Sequence, residues 1–92
     1  MYKILPYTKE QAKRIGVIVE PSHNNIYKID VFTKDGEYIA SVGSKGYSDY
    51  PHYIQDKGQE YADRRRELYK IRHQKDRLKI GSRGWLADNL LW

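Results

Sequence analysis

One segment, Gln59–Lys79, constrains what this 92-residue chain can fold into more than any other. It contains no glycine or proline, and it is rich in Gln, Glu, Ala, Arg, Leu and Lys, which favour a helix. Gly58 precedes it and Gly81 follows it, and glycine at such positions commonly marks the end of a helix. The segment therefore predicts one long helix.

The basic charge of the chain is concentrated in and just after this segment. Between Asp63 and Arg83 there are nine Lys and Arg against three Asp and Glu, a local net charge of +6, whereas the whole chain carries +5. Local basicity of this kind is typical of a surface that binds a polyanion such as nucleic acid. The alternative is a solvated helix whose charges are partly matched along its own surface.

A chain of this length predicts a single domain, residues 1–92. It has no cysteine, which leaves no disulfide and no thiolate metal site. The N-terminus lacks the apolar stretch of a signal peptide, and no apolar run approaches the ~18 residues that span a membrane. We therefore expect an intracellular protein that does not contact a membrane.

The middle of the chain predicts an antiparallel sheet with strands at 17–20, 26–33 and 37–42. Asp35-Gly36, between the second and third strands, is a strong hairpin signal. Side chains alternate between the two faces of a strand, which separates inward from outward positions. The expected inward residues are Ile29, Val31, Ile39 and Val42, and the expected outward residues are Lys28, Asp30 and Glu37.

Short helices are expected on both sides of these elements. Thr8, with Gln11 three residues later, matches a capping box at the start of an N-terminal helix. Asp49 and Ser82 are suited to cap two further helices, the second of which is rich in Leu and Trp and should pack in the core. The predicted fold is α+β: a small three-stranded antiparallel sheet packed against one long helix, with short flanking helices.

Several motifs of this chain occur together: Tyr-Thr-Lys-Glu-x-Ala at 7–12, Lys-Ile-Asp-Val at 28–31, Gly-Tyr-Ser-Asp-Tyr at 46–50, the run 61–73 and a final Trp. Together they resemble a family of small basic proteins of uncharacterised function encoded by large double-stranded DNA viruses of algae and protists. The resemblance covers most of the chain. It implies a viral protein located in the host cytoplasm or nucleus or in the virion, and it implies no particular chemistry.

The basic segment contains a candidate phosphate-binding stripe. Its members recur at three- and four-residue steps and would lie along about 16 Å of a continuous helix. The stripe consists of Arg66, Lys70, His73 and Arg77, extended by Lys75, Lys79 and Arg83. Arg65 and Arg72 fall among tyrosines instead, and we expect them to form an internal structural brace with Asp49 or Asp76.

Three tyrosines, Tyr47, Tyr50 and Tyr53, lie at three-residue spacing before the basic segment. They could stack on the bases of a single strand or form a protein interface, but packing of the loop against the sheet is favoured. No histidine pair has metal spacing, so no catalytic residue, metal or cofactor is predicted. A small nuclease or hydrolase using His73 and Asp76 is a third-ranked hypothesis.

The sequence thus favours a non-enzymatic protein that contacts the phosphate backbone of DNA or RNA with little sequence preference. The alternative is a structural virion component or protein-interaction module with Tyr and Arg on its surface. Its partner would then be a viral or host protein, or a second copy of the chain.

Overall fold

A computed structural model describes all 92 residues and contains five helices and one sheet. The elements in chain order are α1 (Pro6–Ile15), β1 (Val17–Pro21), β2 (Tyr27–Thr33), β3 (Tyr38–Ser44), α2 (Tyr50–Lys57), α3 (Gln59–Arg72), α4 (Gln74–Arg77) and α5 (Arg83–Leu91). The α+β class and the three-stranded sheet are therefore confirmed. None of the five helices has the length and apolar character needed to cross a bilayer.

The sheet is antiparallel, with β2 between β1 and β3. Val31 pairs with Val19 on one side and Ala40 on the other, and Ile29 pairs with Val42. An irregularity between Val31 and Phe32 shifts the register of the hairpin. Because of this shift Ala40 points inward, and Ile39, predicted to be inward, is 40% exposed.

The predicted long helix is correct only as far as Arg72. His73 has φ −108° and ψ 22°, and only the four-residue α4 follows it. In a continuous helix the carbonyl of Lys70 would accept a hydrogen bond from the amide of Gln74. Here it accepts a hydrogen bond from Nε of Arg77 at 3.2 Å instead. A side chain that enters the hydrogen-bond ladder in this way interrupts a helix.

The break turns the chain back so that α5 can reach the sheet. Its first turn passes close to α4, because a Cβ added at Gly84 would lie 2.8 Å from the backbone of Asp76. Ser82 caps α5 as predicted, by accepting a hydrogen bond from the amide of Trp85. Leu90, 0% exposed, and Leu91, 1% exposed, then enter the core.

The core lies between the sheet and two helices, α1 and α5. Its buried members are Ala12, Ile29, Val31, Ala40, Val42, Leu86, Leu90 and Leu91. The prediction that the long helix covers the sheet is therefore wrong, since α3 packs mainly against α2. The C-terminal helix takes its place because it is far more apolar than α3, whose buried residues are only Ala62 and Tyr69.

The N-terminal helix also begins differently from the capping-box prediction. Pro6 occupies its first turn, Leu5 stands at the N-cap, and no side chain caps the helix. Proline supplies a helical φ, and the amide that it lacks would have no partner within the helix. Thr8 is buried instead, and its hydroxyl has no hydrogen-bond partner.

Candidate functional site

A cleft of about 870 Å³ opens between two parts of the molecule. Its lining residues come from α3, α4 and the turn after α4, and from the end of β3, the loop before α2, and α5. Its volume falls in the range of about 300–1,000 Å³ that is typical of ligand pockets. The cleft is therefore the main concave feature on which a function can be based.

Positive charge dominates the walls of this cleft. Five cationic side chains line it, and none of them is within 4.0 Å of a carboxylate oxygen: Arg65, Arg72, Lys75, Lys79 and Arg83. Lys28 also reaches the lining but is paired with Asp49. Asp76 is the one acidic side chain that lines the cleft. We call the surface formed by the five unpaired cations the basic cleft.

The predicted phosphate-binding stripe does not form a row of free donors. The guanidinium of Arg66 lies over the ring of Tyr50, 4.1 Å from its centroid. Lys70 forms an ion pair with Asp88 at 2.8 Å. Arg77 donates a hydrogen bond to the backbone carbonyl of Lys70, and its guanidinium lies 4.0 Å from the carboxylate of Asp88. Of the four residues Arg66, Lys70, His73 and Arg77, only His73 lines the cleft.

The proposed extension of the stripe has a different outcome. Lys75, Lys79 and Arg83 are exposed and line the basic cleft. Arg83 is held in place, because its Nε and one terminal nitrogen donate to the carbonyl of Ser41 at 3.2 and 2.9 Å, and its guanidinium lies over Tyr27. The structure thus gathers these three cations although the helix that should have aligned them is broken.

The predicted brace lacks the ion pairs that were expected of Arg65 and Arg72. Arg72 is exposed and makes no side-chain hydrogen bond or ion pair. Arg65 lies 5.5 Å from the ring centroid of Tyr53, and its buried Nε has no acceptor. Neither arginine pairs with Asp49 or Asp76, so both contribute to the basic cleft instead.

Asp49 is the centre of a buried polar network that the sequence did not predict. It accepts hydrogen bonds from the Tyr2 hydroxyl at 2.6 Å, Lys28 Nζ at 2.9 Å and the backbone amide of His52 at 3.2 Å, and its Oδ1 lies 2.8 Å from Nδ1 of His52. Burial raises the pKa of Asp49, but the charge of Lys28 and these hydrogen bonds outweigh it, so the pKa is lowered. The network ties the N-terminal segment, β2 and α2 together behind the cleft.

The three predicted tyrosines are separated by the fold. Tyr47 is 75% exposed at the cleft. Tyr50 is 6% exposed, and its hydroxyl donates a hydrogen bond to the carboxylate of Asp63 at 2.7 Å, so it is a packing residue. Tyr53 is half-buried, with its ring near those of Tyr61 and Trp92. The favoured packing role therefore fits Tyr50 and Tyr53, whereas Tyr47 is open to a ligand.

A stack of three rings forms another part of the cleft wall. Tyr69 is parallel to Trp92, with centroids 4.3 Å apart and planes 6° apart, and it also stacks on His73 at 4.3 Å and 28°. Burial, followed by the charges of Asp88 and Asp76, raises the pKa of Tyr69 to about 12, so the phenol stays neutral near neutral pH. The four-residue spacing of Tyr69 and His73 was a local signal for one half of this stack, but nothing local indicated Trp92.

The structure contains no group of three or more His, Cys, Asp or Glu side chains that could hold a metal ion. Comparisons of the chain with protein-family models, with curated proteins and with solved structures find no match. Function is therefore inferred from the geometry of the cleft.

Proposed function

We propose that this protein binds nucleic acid in the basic cleft by contacting the phosphate backbone, with little sequence preference. The observation that carries the proposal is the set of five cations without an ion-pair partner around one concave surface. Cations that have no internal carboxylate can neutralise phosphates, and the release of the counterions condensed on the nucleic acid drives association. Lys70 and Arg77 are excluded from this role by their contacts with Asp88.

The composition of the cleft supports weak sequence preference. No asparagine or glutamine lines it, and these are the residues that pair bidentately with adenine. Lysine and arginine that contact phosphates position a protein on nucleic acid without reading its bases. DNA and RNA are therefore both within the scope of the proposal.

Fluorescence anisotropy with a labelled mixed-sequence strand, and with its duplex, tests the proposal. If four or five phosphates are contacted, affinity should fall roughly a hundredfold between about 50 and about 200 mM salt. Arg72→Glu with Lys75→Glu should weaken binding at least about tenfold at low salt. The matched control is Lys9→Glu with Lys13→Glu, which changes net charge equally on the exposed side of α1 and outside the cleft.

The control separates local contacts from overall charge. Equal losses in the two double variants would show that the cleft has no special role. An absence of salt-dependent binding to either probe at low salt would remove the proposal altogether.

A second candidate is a protein-interaction or structural role, including that of a virion component. It is favoured by exposed aliphatic side chains in and after α3: Leu68 46%, Ile71 63%, Leu78 59% and Ile80 83%. Exposed apolar residues that lie close together commonly mark interaction surfaces. Sedimentation equilibrium tests self-association: a dimer that Ile71→Ser dissociates supports this role, and a monomer at high concentration argues against a homo-oligomer.

A further inference from the structure

We infer that the basic cleft takes single-stranded nucleic acid in preference to a duplex, with one base stacked on the open face of His73 and another on Tyr47. This inference rests on the proposed function and names the form of nucleic acid that the same site selects.

One end of the ring stack is covered by another ring, whereas no ring covers the other end, which we call the open end. Trp92 and His73 both stack on Tyr69 with centroids 4.3 Å away, so they must lie on opposite faces of its ring. Tyr53 approaches Trp92 at 6.1 Å with a tilt of 51° and covers that end. No other ring stacks on His73, which is half-buried and lines the cleft. A flat ligand can therefore extend the stack on the imidazole.

The open end of the stack shares the cleft with several cations. Arg72 immediately precedes His73, Lys75 follows it by two residues, and Lys79 and Arg83 line the same cleft. A base stacked on His73 would therefore have its phosphates beside unpaired positive charges. Aromatic faces next to a positive groove are the combination by which proteins bind single strands without sequence preference.

Tyr47 offers a second stacking surface in the same cleft. Its ring is 75% exposed and is not paired with any other ring or cation of the protein. An aromatic side chain exposed to this extent has apolar area that a base could cover. Tyr47, in the loop before α2, and His73, at the end of α3, line the same cleft, so a strand that enters the cleft can meet both.

A duplex cannot use these rings without being opened. Its base faces are covered by neighbouring base pairs, and exposing one requires unstacking that costs a few kcal/mol. An intact duplex would meet only the cations at the rim, whereas a single strand presents bases and phosphates together. The cleft, at about 870 Å³, has the volume of a pocket for a small ligand or a few nucleotides.

The test compares a labelled dodecathymidylate with the same strand annealed to its complement, at one low salt concentration. We expect the single strand to bind at least about tenfold more tightly. His73→Ala and Tyr47→Ala should each weaken single-strand binding by about fivefold to a hundredfold, the range for loss of one stacked base, and leave the duplex affinity unchanged. His73→Phe and Tyr47→Phe, which keep a ring, should retain single-strand binding.

Several results would overturn the inference while the proposed function stands. These are salt-dependent binding of the duplex as tight as that of the single strand, equal losses on both probes in the Ala variants, or losses in the Phe variants as large as in the Ala variants. If neither probe binds at low salt, the proposed function itself fails. Tyr47 is exposed and makes no side-chain hydrogen bond, so Tyr47→Ala keeps the test decisive even if His73→Ala disturbs the end of α3.

Discussion

Replacing Asp49 by alanine should destabilise this protein more than any other single loss of a carboxylate. The Asp49 side chain is 1% exposed and that of its partner Lys28 is 5% exposed. In Asp49→Ala the ammonium of Lys28 keeps its burial but has no carboxylate within 4.0 Å, because Asp49 is its only ion-pair partner. The same substitution removes the cap of α2 and the acceptor of the Tyr2 hydroxyl.

The magnitude follows from these contacts. Breaking a buried ion pair by removing one partner costs about 3–5 kcal/mol, and loss of a helix N-cap costs about 1 kcal/mol. The two effects share one carboxylate, so a total of about 4 kcal/mol is expected. This is a large part of the roughly 5–15 kcal/mol by which native proteins are stable.

Urea denaturation followed by tryptophan fluorescence measures the effect. Asp63→Ala is the matched control, since Asp63 also accepts a tyrosine hydroxyl, from Tyr50, but at the surface. Adding Lys28→Met to Asp49→Ala removes the unpaired charge and should restore about half of the lost stability. A loss in Asp49→Ala no larger than in Asp63→Ala, with no recovery on adding Lys28→Met, would refute the reasoning.

Two further predictions concern stability. Leu90→Ala, at a core position that is 0% exposed, should lower the free energy of unfolding by about 2–5 kcal/mol, whereas Ile80→Ala, at a position that is 83% exposed, should change it by less than about 0.5 kcal/mol. Similar losses for the two in urea titrations would contradict the placement of α5 in the core. The stabilisation by Asp49 should also depend on pH: its pKa is lowered from the usual 3.8, so its contribution is present above about pH 4 and disappears as pH falls through the folded-state value. Thermal unfolding of wild type and Asp49→Asn from neutral to acidic pH should therefore converge below about pH 4, and a difference that stays constant would be evidence against an ionised Asp49.

Local patterns were sufficient for the sheet and for the C-terminal helix. Asp35-Gly36 marked the hairpin, and Ser82 capped α5 as expected. These signals work because a turn or a cap is decided by a few neighbouring residues. The helix break at His73 was not predicted, because it depends on the hydrogen bond from Arg77 to the Lys70 carbonyl and on the close approach of α5 to Asp76. Helix propensity, which is a property of local sequence, contains no information about either contact.

Of the predicted site residues, the fold brings some to the cleft and places others elsewhere. Lys75 and Lys79 were identified from local charge, and they line the cleft. Lys28 was expected to face water because it alternates with inward residues, but Asp49, distant along the chain, covers that face of β2. Alternation identifies two faces of a strand and does not say whether the second face is covered.

The order of residues by itself determined the α+β class, the hairpin, the caps of α2 and α5, and the stretch of chain in which positive charge accumulates. Tertiary structure alone decided which of those charges are open to a ligand. Lys70 is neutralised because α5 brings Asp88 within 2.8 Å, whereas Arg72, two residues later, meets no carboxylate. Charge pairing is set by distance in space, and helical spacing predicts that distance only while the helix continues.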